Sequence, residues 1–273
     1  PAAVEDLAVD GDLIVTALGT AGVRVIDASD PGEPRLVGEF VEAGADVRGV
    51  ALGGGVAYLA DLALGLRVVS LADPAAPVLL GGLDPDDDLS RLALNGSTLY
   101  LCDFSGDLRV IDVSSPAHPV QLGFFGTWGG VYGVDVAGTH AYLADGVLGL
   151  RVLDVADPAH PREVGSLDTA GWAYGVAVEA GRAYVADGTA GLRIVDVGAP
   201  AAPVQLAVLD TDGHAWNVAV AGDRAYVADS WPGLRIVDVA APAAPVEIGG
   251  YLMRGNATAA ARRDSLLAVA DLE

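Results

Sequence analysis

Seven positions in this 273-residue chain differ in chemistry while the residues around them hardly change. Taken in chain order they are Glu5, Arg48, Ser90, Tyr132, Tyr174, Trp216 and Thr258. The residues that follow them are Asp6, Gly49, Arg91, Gly133, Gly175, Asn217 and Ala259, and Asp135 replaces an alanine (Ala51, Ala93, Ala177, Ala219) two residues further on. Glu5, Asp6, Arg48 and Arg91 are charged and would form one arc. Tyr132, Tyr174 and Trp216 are aromatic and would form the opposite arc, with Trp128, Trp172 and His214 close by in sequence. Flat aromatic faces beside hydrogen-bonding groups suit sugars and other amphipathic ligands. An alternative is that the aromatics plug the space and the arginines pair with Glu5, Asp6 and Asp135.

The same residues could serve an enzyme. Tyr132, Tyr174 or His214 would act as base, and Arg48 or Arg91 would hold an anionic group of an acidic or sugar-like substrate, as in a lyase or hydrolase. No recognised catalytic motif accompanies them: G-x-S-x-G, H-E-x-x-H and the P-loop are all missing. The balance therefore favours binding over catalysis. One stretch, "DPDDDLS", sets Asp84, Asp86 and Asp88 at alternate positions. Oxygen ligands in a flexible link suit Ca²⁺, but the glycine and glutamate of an EF-hand loop are missing. A solvated acidic turn is the simpler expectation, with no cofactor required.

What positions these residues is a repeat. The arginine of a "GLR"-like triplet falls at Arg24, Arg67, Arg109, Arg151, Arg193 and Arg235, 43 and then 42 residues apart. A steady period of that length indicates a propeller or solenoid. Each copy divides into four short segments rich in Val, Ile, Leu and Tyr, bounded by Gly, Pro or Asp, and each segment reads as a strand. Twelve of the 15 prolines lie between the third and fourth segments of each copy, from Pro31 and Pro34 to Pro242 and Pro245. Proline lacks a ladder N–H, which places these turns at the outer edge of each sheet. Four linked strands make one small antiparallel sheet, and the expected fold is an all-β propeller forming a single domain over residues 1–273. Segments resembling first and second strands recur at Ala257–Asp271. The preferred count is therefore seven blades with a short last one, and six blades is the alternative. A last blade with an open edge would be a soft spot or an oligomer interface.

The aspartates of "AD" (Asp61, Asp103, Asp145, Asp187, Asp229, Asp271) read as turn caps that bind N–H groups two residues on. Those of "IVD" (Asp27, Asp112, Asp154, Asp196, Asp238) read as closing the next turn or pairing with an arginine. Cys102, the only cysteine, reads as a small core residue.

"LRIVDV" at Leu192–Val197 and Leu234–Val239, within the wider pattern "AYVAD…GLRIVDV…P..PV", resembles the LVIVD-repeat family. That resemblance implies β-propeller blades and an extracellular or cell-surface location, and it implies no particular chemistry. The expected activity is a scaffold or binding module for a glycan or protein at the channel mouth. The chain has 37 acidic and 15 basic residues and a net charge of −22. A field of that sign repels phosphate backbones and argues against nucleic acid. No apolar run is long enough to insert into a membrane as a helix.

Overall fold

The computed structural model describes residues 3–84, 88–231, 233–253, 255–263 and 266–272. Short apolar segments separated by glycine-bearing turns cannot extend into helices, and they form antiparallel strands throughout. Blade one consists of β1 (Asp6–Asp10), β2 (Leu13–Ala17), β3 (Val23–Asp27) and β4 (Arg35–Phe40). Blade two consists of β5 (Val47–Gly53), β6 (Val56–Asp61), β7 (Gly65–Ser70) and β8 (Val78–Leu83). Blade three runs β9 (Leu89–Asn95), β10 (Thr98–Asp103), β11 (Asp107–Asp112) and β12 (Val120–Gly126). Blade four runs β13 (Gly133–Ala137), β14 (His140–Ala144), β15 (Leu150–Asp154) and β16 (Arg162–Leu167). Blade five holds β17 (Gly175–Glu179), β18 (Arg182–Ala186), β19 (Leu192–Asp196) and β20 (Val204–Leu209). Blade six holds β21 (Asn217–Ala221), β22 (Arg224–Ala228), β23 (Gly233–Asp238) and β24 (Val246–Leu252). Two further strands, β25 (Asn256–Arg263) and β26 (Leu266–Leu272), pair only with each other.

Six four-stranded blades are therefore present, the alternative count and not the preferred seven. The physical reason is that β26 has no third-strand partner among the described residues, so the last sheet is a two-stranded hairpin. That hairpin is not stray. β25 packs between β21 and β1, as every other first strand packs between two first strands.

The core is correspondingly divided into seven clusters, one at each junction. Between blades one and two, Val15, Val23 and Val25 meet Val47, Val50 and Leu59. Between blade six and the hairpin, Leu234 and Ala219 meet Ala260. Between the hairpin and blade one, Ala259 and Ala270 meet Leu7. Each fully buried Leu, Ile or Val contributes roughly 1.5–3 kcal/mol. No single blade can bury both its faces, so burial is achieved only by stacking around the ring.

Candidate functional site

The first strands line the centre of the ring, and the links that enter them form its mouth. At four of the seven entry positions the N–H bonds the carbonyl of the last alanine of the second strand: Glu5 to Ala17, Tyr132 to Ala144, Tyr174 to Ala186 and Trp216 to Ala228, each at 2.9 Å. Their backbones are thereby held to rigid sheet.

The buried "AD" aspartates hold the links themselves. Asp187 accepts from the Thr169 hydroxyl at 2.6 Å and from the Gly171 N–H at 3.0 Å, and it pairs with Arg193. Thr127 donates to Asp145 at 2.9 Å and Thr211 to Asp229 at 2.7 Å. Arg151 and Arg235 stand 3.7 and 3.6 Å from Asp145 and Asp229. Asp61 accepts from the Asp46, Ala63 and Leu64 N–H groups. The expectation of a cap two residues on holds for Asp61. For Asp145, Asp187 and Asp229 it is corrected: the carboxylate reaches 18 residues back to the incoming link, because the sheet brings that link over it. The "IVD" aspartates do close the following turn, as with Asp27 to Ser29 and Asp196 to Gly198, and Asp154 and Asp238 also pair with Arg162 and Arg224.

The entry residues meet around one cavity of about 350 Å³. All seven line it, together with Arg91, Phe104, Ser230 and Asn256. Along one arc the rings form a continuous contact chain. Phe104 lies 5.9 Å from Tyr132, Tyr132 5.4 Å from Tyr174, and Tyr174 4.4 Å from Trp216, between ring centroids. Trp172 stacks on Tyr174, and His214 sits against both Tyr174 and Trp216. Burial pushes the Tyr174 hydroxyl pKa up and the His214 pKa down. Gly146 and Gly188 adopt left-handed backbone (φ +51° and +59°) beneath this arc, and a Cβ on Gly146 would meet the Trp172 indole nitrogen at 2.8 Å. At the equivalent place in blade six stands Ser230, whose hydroxyl accepts from Trp216 Nε1 at 2.6 Å.

Across the cavity the charges are tied to one another. Arg48 bonds Glu5 at 3.1 Å and Asp46 at 2.8 Å, and the bond to Asp46 holds its pKa up. Arg91 donates to the carbonyls of Arg48 and Glu5 and lies 4.0 Å from Asp6. Burial raises the Asp6 pKa, and its carboxylate accepts the Val50 N–H at 3.1 Å.

A second cavity of about 460 Å³, lined by the first strands, continues down the channel. Arg91 and Tyr132 border both and mark the step between mouth and channel. Asp135 lines the channel, and among the described residues no arginine pairs with it. It accepts from the Val136 and Val178 N–H groups, both at 2.7 Å, and burial raises its pKa to about 6. Asn217 similarly accepts from the Ala260 N–H at 3.4 Å. In each case a polar side chain on one first strand satisfies a backbone donor on the next.

Three residues expected near the arc part company. Trp172 and His214 join it, whereas Trp128 points away and is 99% exposed. Asp84 and Asp88 are exposed, and Asp86 lies outside the described residues. Among the described residues, no cluster of His, Cys, Asp or Glu could hold a metal ion. Phe104, Ser230 and Asn256 were not anticipated. Phe104 and Ser230 follow the "AD" aspartates directly, at a position where the other blades carry Leu62, Gly146 and Gly188. That variation is the signal that marks them.

A ring of repeated antiparallel sheets with variable side chains gathered at one mouth defines a β-propeller. The LVIVD repeat matches residues 2–41, 44–84, 88–127, 129–169, 170–211 and 212–253, and the chain belongs to the LVIVD-repeat family. No curated protein sequence matches the chain. Its fold is similar to that of U3-55K, with a TM-score of 0.79 at 14% identity over 95% of this chain and 85% of that one. It is similar also to a chain of the mitotic checkpoint complex (0.75, 14%, 93% and 82%). The computationally designed Ika8 protein is a third likeness (0.70, 9%, 99% and 94%). At these identities the likeness is one of fold alone.

Proposed function

We propose that this propeller is a secreted or cell-surface binding module that recognises a glycan, free or carried on a protein, at the channel mouth. The observation that carries this reading is the two-sided cavity. Tyr132, Tyr174 and Trp216 offer apolar ring faces on one side, and Glu5, Arg48, Asn256 and Thr258 offer donors and acceptors on the other. Trp216 keeps 38% of its surface exposed, so its face is available to a ligand. A sugar ring presents one apolar face and a rim of hydroxyls, which matches that division. The extracellular location rests on the family resemblance.

The test is a thermal-shift screen of glycans on the wild type and on Tyr174→Ala and Trp216→Ala. A glycan that raises the wild-type Tm and leaves both variants unmoved supports the reading. A shift that persists in both variants contradicts it. Product that accumulates with time, and stops in a Tyr132 or His214 variant, would replace it with the enzyme reading.

A further inference from the structure

The two arginines at the mouth are already occupied by protein groups. Nη1 and Nη2 of Arg48 are taken by Glu5 at 3.1 Å and Asp46 at 2.8 Å, and its Nε is buried. Nη1 and Nη2 of Arg91 donate to the carbonyls of Arg48 and Glu5, and Asp6 lies 4.0 Å away. An acidic ligand would have to displace one of these groups, and it would meet three carboxylates around two guanidiniums. Asp210 and Asp212 are exposed on the link that ends in His214 and Trp216, and that link has no arginine. The chain as a whole carries a net charge of −22. This balance favours a cation over an anion at the mouth.

The opposite wall suits a cation as well. Phe104, Tyr132, Tyr174 and Trp216 all line the cavity, and successive rings are inclined by 61°, 70° and 49°. So inclined, they curve around the space and do not form one flat shelf. An aromatic face carries the negative part of the ring quadrupole, and several such faces around one space suit an ammonium group. Among the described residues, Glu5 is the only carboxylate that lines this cavity. A carboxylate has about four lone-pair sites, so Glu5 keeps acceptor capacity beside its bond to Arg48.

We propose that the glycan bound at the mouth carries a free amino group, held as an ammonium between the aromatic arc and Glu5. This rests on the glycan reading of the mouth and narrows it to basic sugars. The ring faces cover the apolar side of the sugar, the ammonium takes the side nearer Glu5, and the hydroxyls meet the polar rim at Asn256. An N-acetyl group in place of the amine removes the charge, and a uronic acid reverses it.

The probes are oligomers of glucosamine, N-acetylglucosamine and galacturonic acid, matched in length. They are titrated into the protein by calorimetry at a pH of about 6, below the roughly 7.7–8.0 of an α-amino group. The glucosamine oligomer should bind roughly three- to thirtyfold tighter than its acetylated form, with the galacturonic acid oligomer weakest. High salt should narrow that preference. Glu5→Gln should narrow it too. Tyr174→Ala, which changes no charge, should abolish it. A preference that survives Tyr174→Ala belongs to the acidic surface at large and would overturn the proposal. So would a glucosamine oligomer that binds no better than the acetylated one, or a preference undiminished in Glu5→Gln. In those cases the acetylated oligomer, still bound at the mouth, keeps the glycan reading standing. If none of the three oligomers binds, the proposal falls, and the glycan screen alone decides the reading of the mouth.

Discussion

The Trp216 indole is held by Ser230, one link anchoring the platform of the other at 2.6 Å. Ser230 therefore positions the ring without offering a face of its own. Ser230→Ala should cost about 0.5–1.5 kcal/mol of stability at most. Its larger effect should be on a mouth ligand, weakened roughly three- to tenfold as the indole gains rotamer freedom. Titration of wild type and variant with the same glycan measures this. Ser230 has left-handed backbone (φ +49°), so the rescue is Ser230→Asn, which tolerates that conformation and keeps an acceptor for the indole N–H; it should recover part of the affinity.

The two families of repeated aspartate should respond differently to the same change. Asp187→Ala strands the buried Arg193 and unties Thr169 and Gly171 from the link that ends in Tyr174. Breaking a buried pair in this way costs about 3–5 kcal/mol. Asp196→Ala removes one exposed turn bond to Gly198 and should cost a small fraction of that. Urea denaturation of the two variants makes the comparison.

This contrast shows where local reading of the sequence succeeds. The "IVD" turns are contacts between residues two apart, and they were legible. The Thr169–Asp187 bond spans 18 residues and forms only once the sheet has brought link and strand together, so local turn chemistry missed it. The mouth ring was legible because stacking fixes every other position of the repeat, which makes departures such as Arg48 and Tyr132 visible. Phe104 and Ser230 showed the same signal in the second link. The direction of Trp128 was not legible: Gly129 and Gly130 follow it, and two adjacent glycines leave the path of the link to tertiary contacts. The count of complete blades turned on strand pairing beyond β26, which the repeat alone does not specify.

A matched pair of glycine substitutions tests the inter-blade packing. Gly38→Ala would push a methyl into the Pro74 carbonyl, and the forced shift should cost about 1–3 kcal/mol. Gly249→Ala meets open space and should change stability by less than about 0.5 kcal/mol. Equal costs at the two positions would contradict the packing of the Pro74 turn over Gly38.

Asp135 sets a pH dependence. Its folded pKa, about 6, lies above the ordinary value of 3.8 because of burial. Between those values the folded state binds more protons than the unfolded state, so this group makes stability fall as pH rises from about 4 to 6. Asp135→Asn should flatten that part of the profile, by at most about 3 kcal/mol and by less where channel water screens the charge. Chemical denaturation of both proteins at pH 4.5 and 7 reads the difference. An identical profile would mean that the carboxylate titrates normally.

The most direct test of recognition at the mouth is amide hydrogen exchange with and without a glycan that raises the Tm. Slowed exchange should concentrate in the three links that deliver the aromatic arc, residues 127–132, 168–174 and 210–216, with the outer strands unchanged. Protection on the outer strands or on the opposite face, with these links unaltered, would contradict the assignment of the mouth as the binding site.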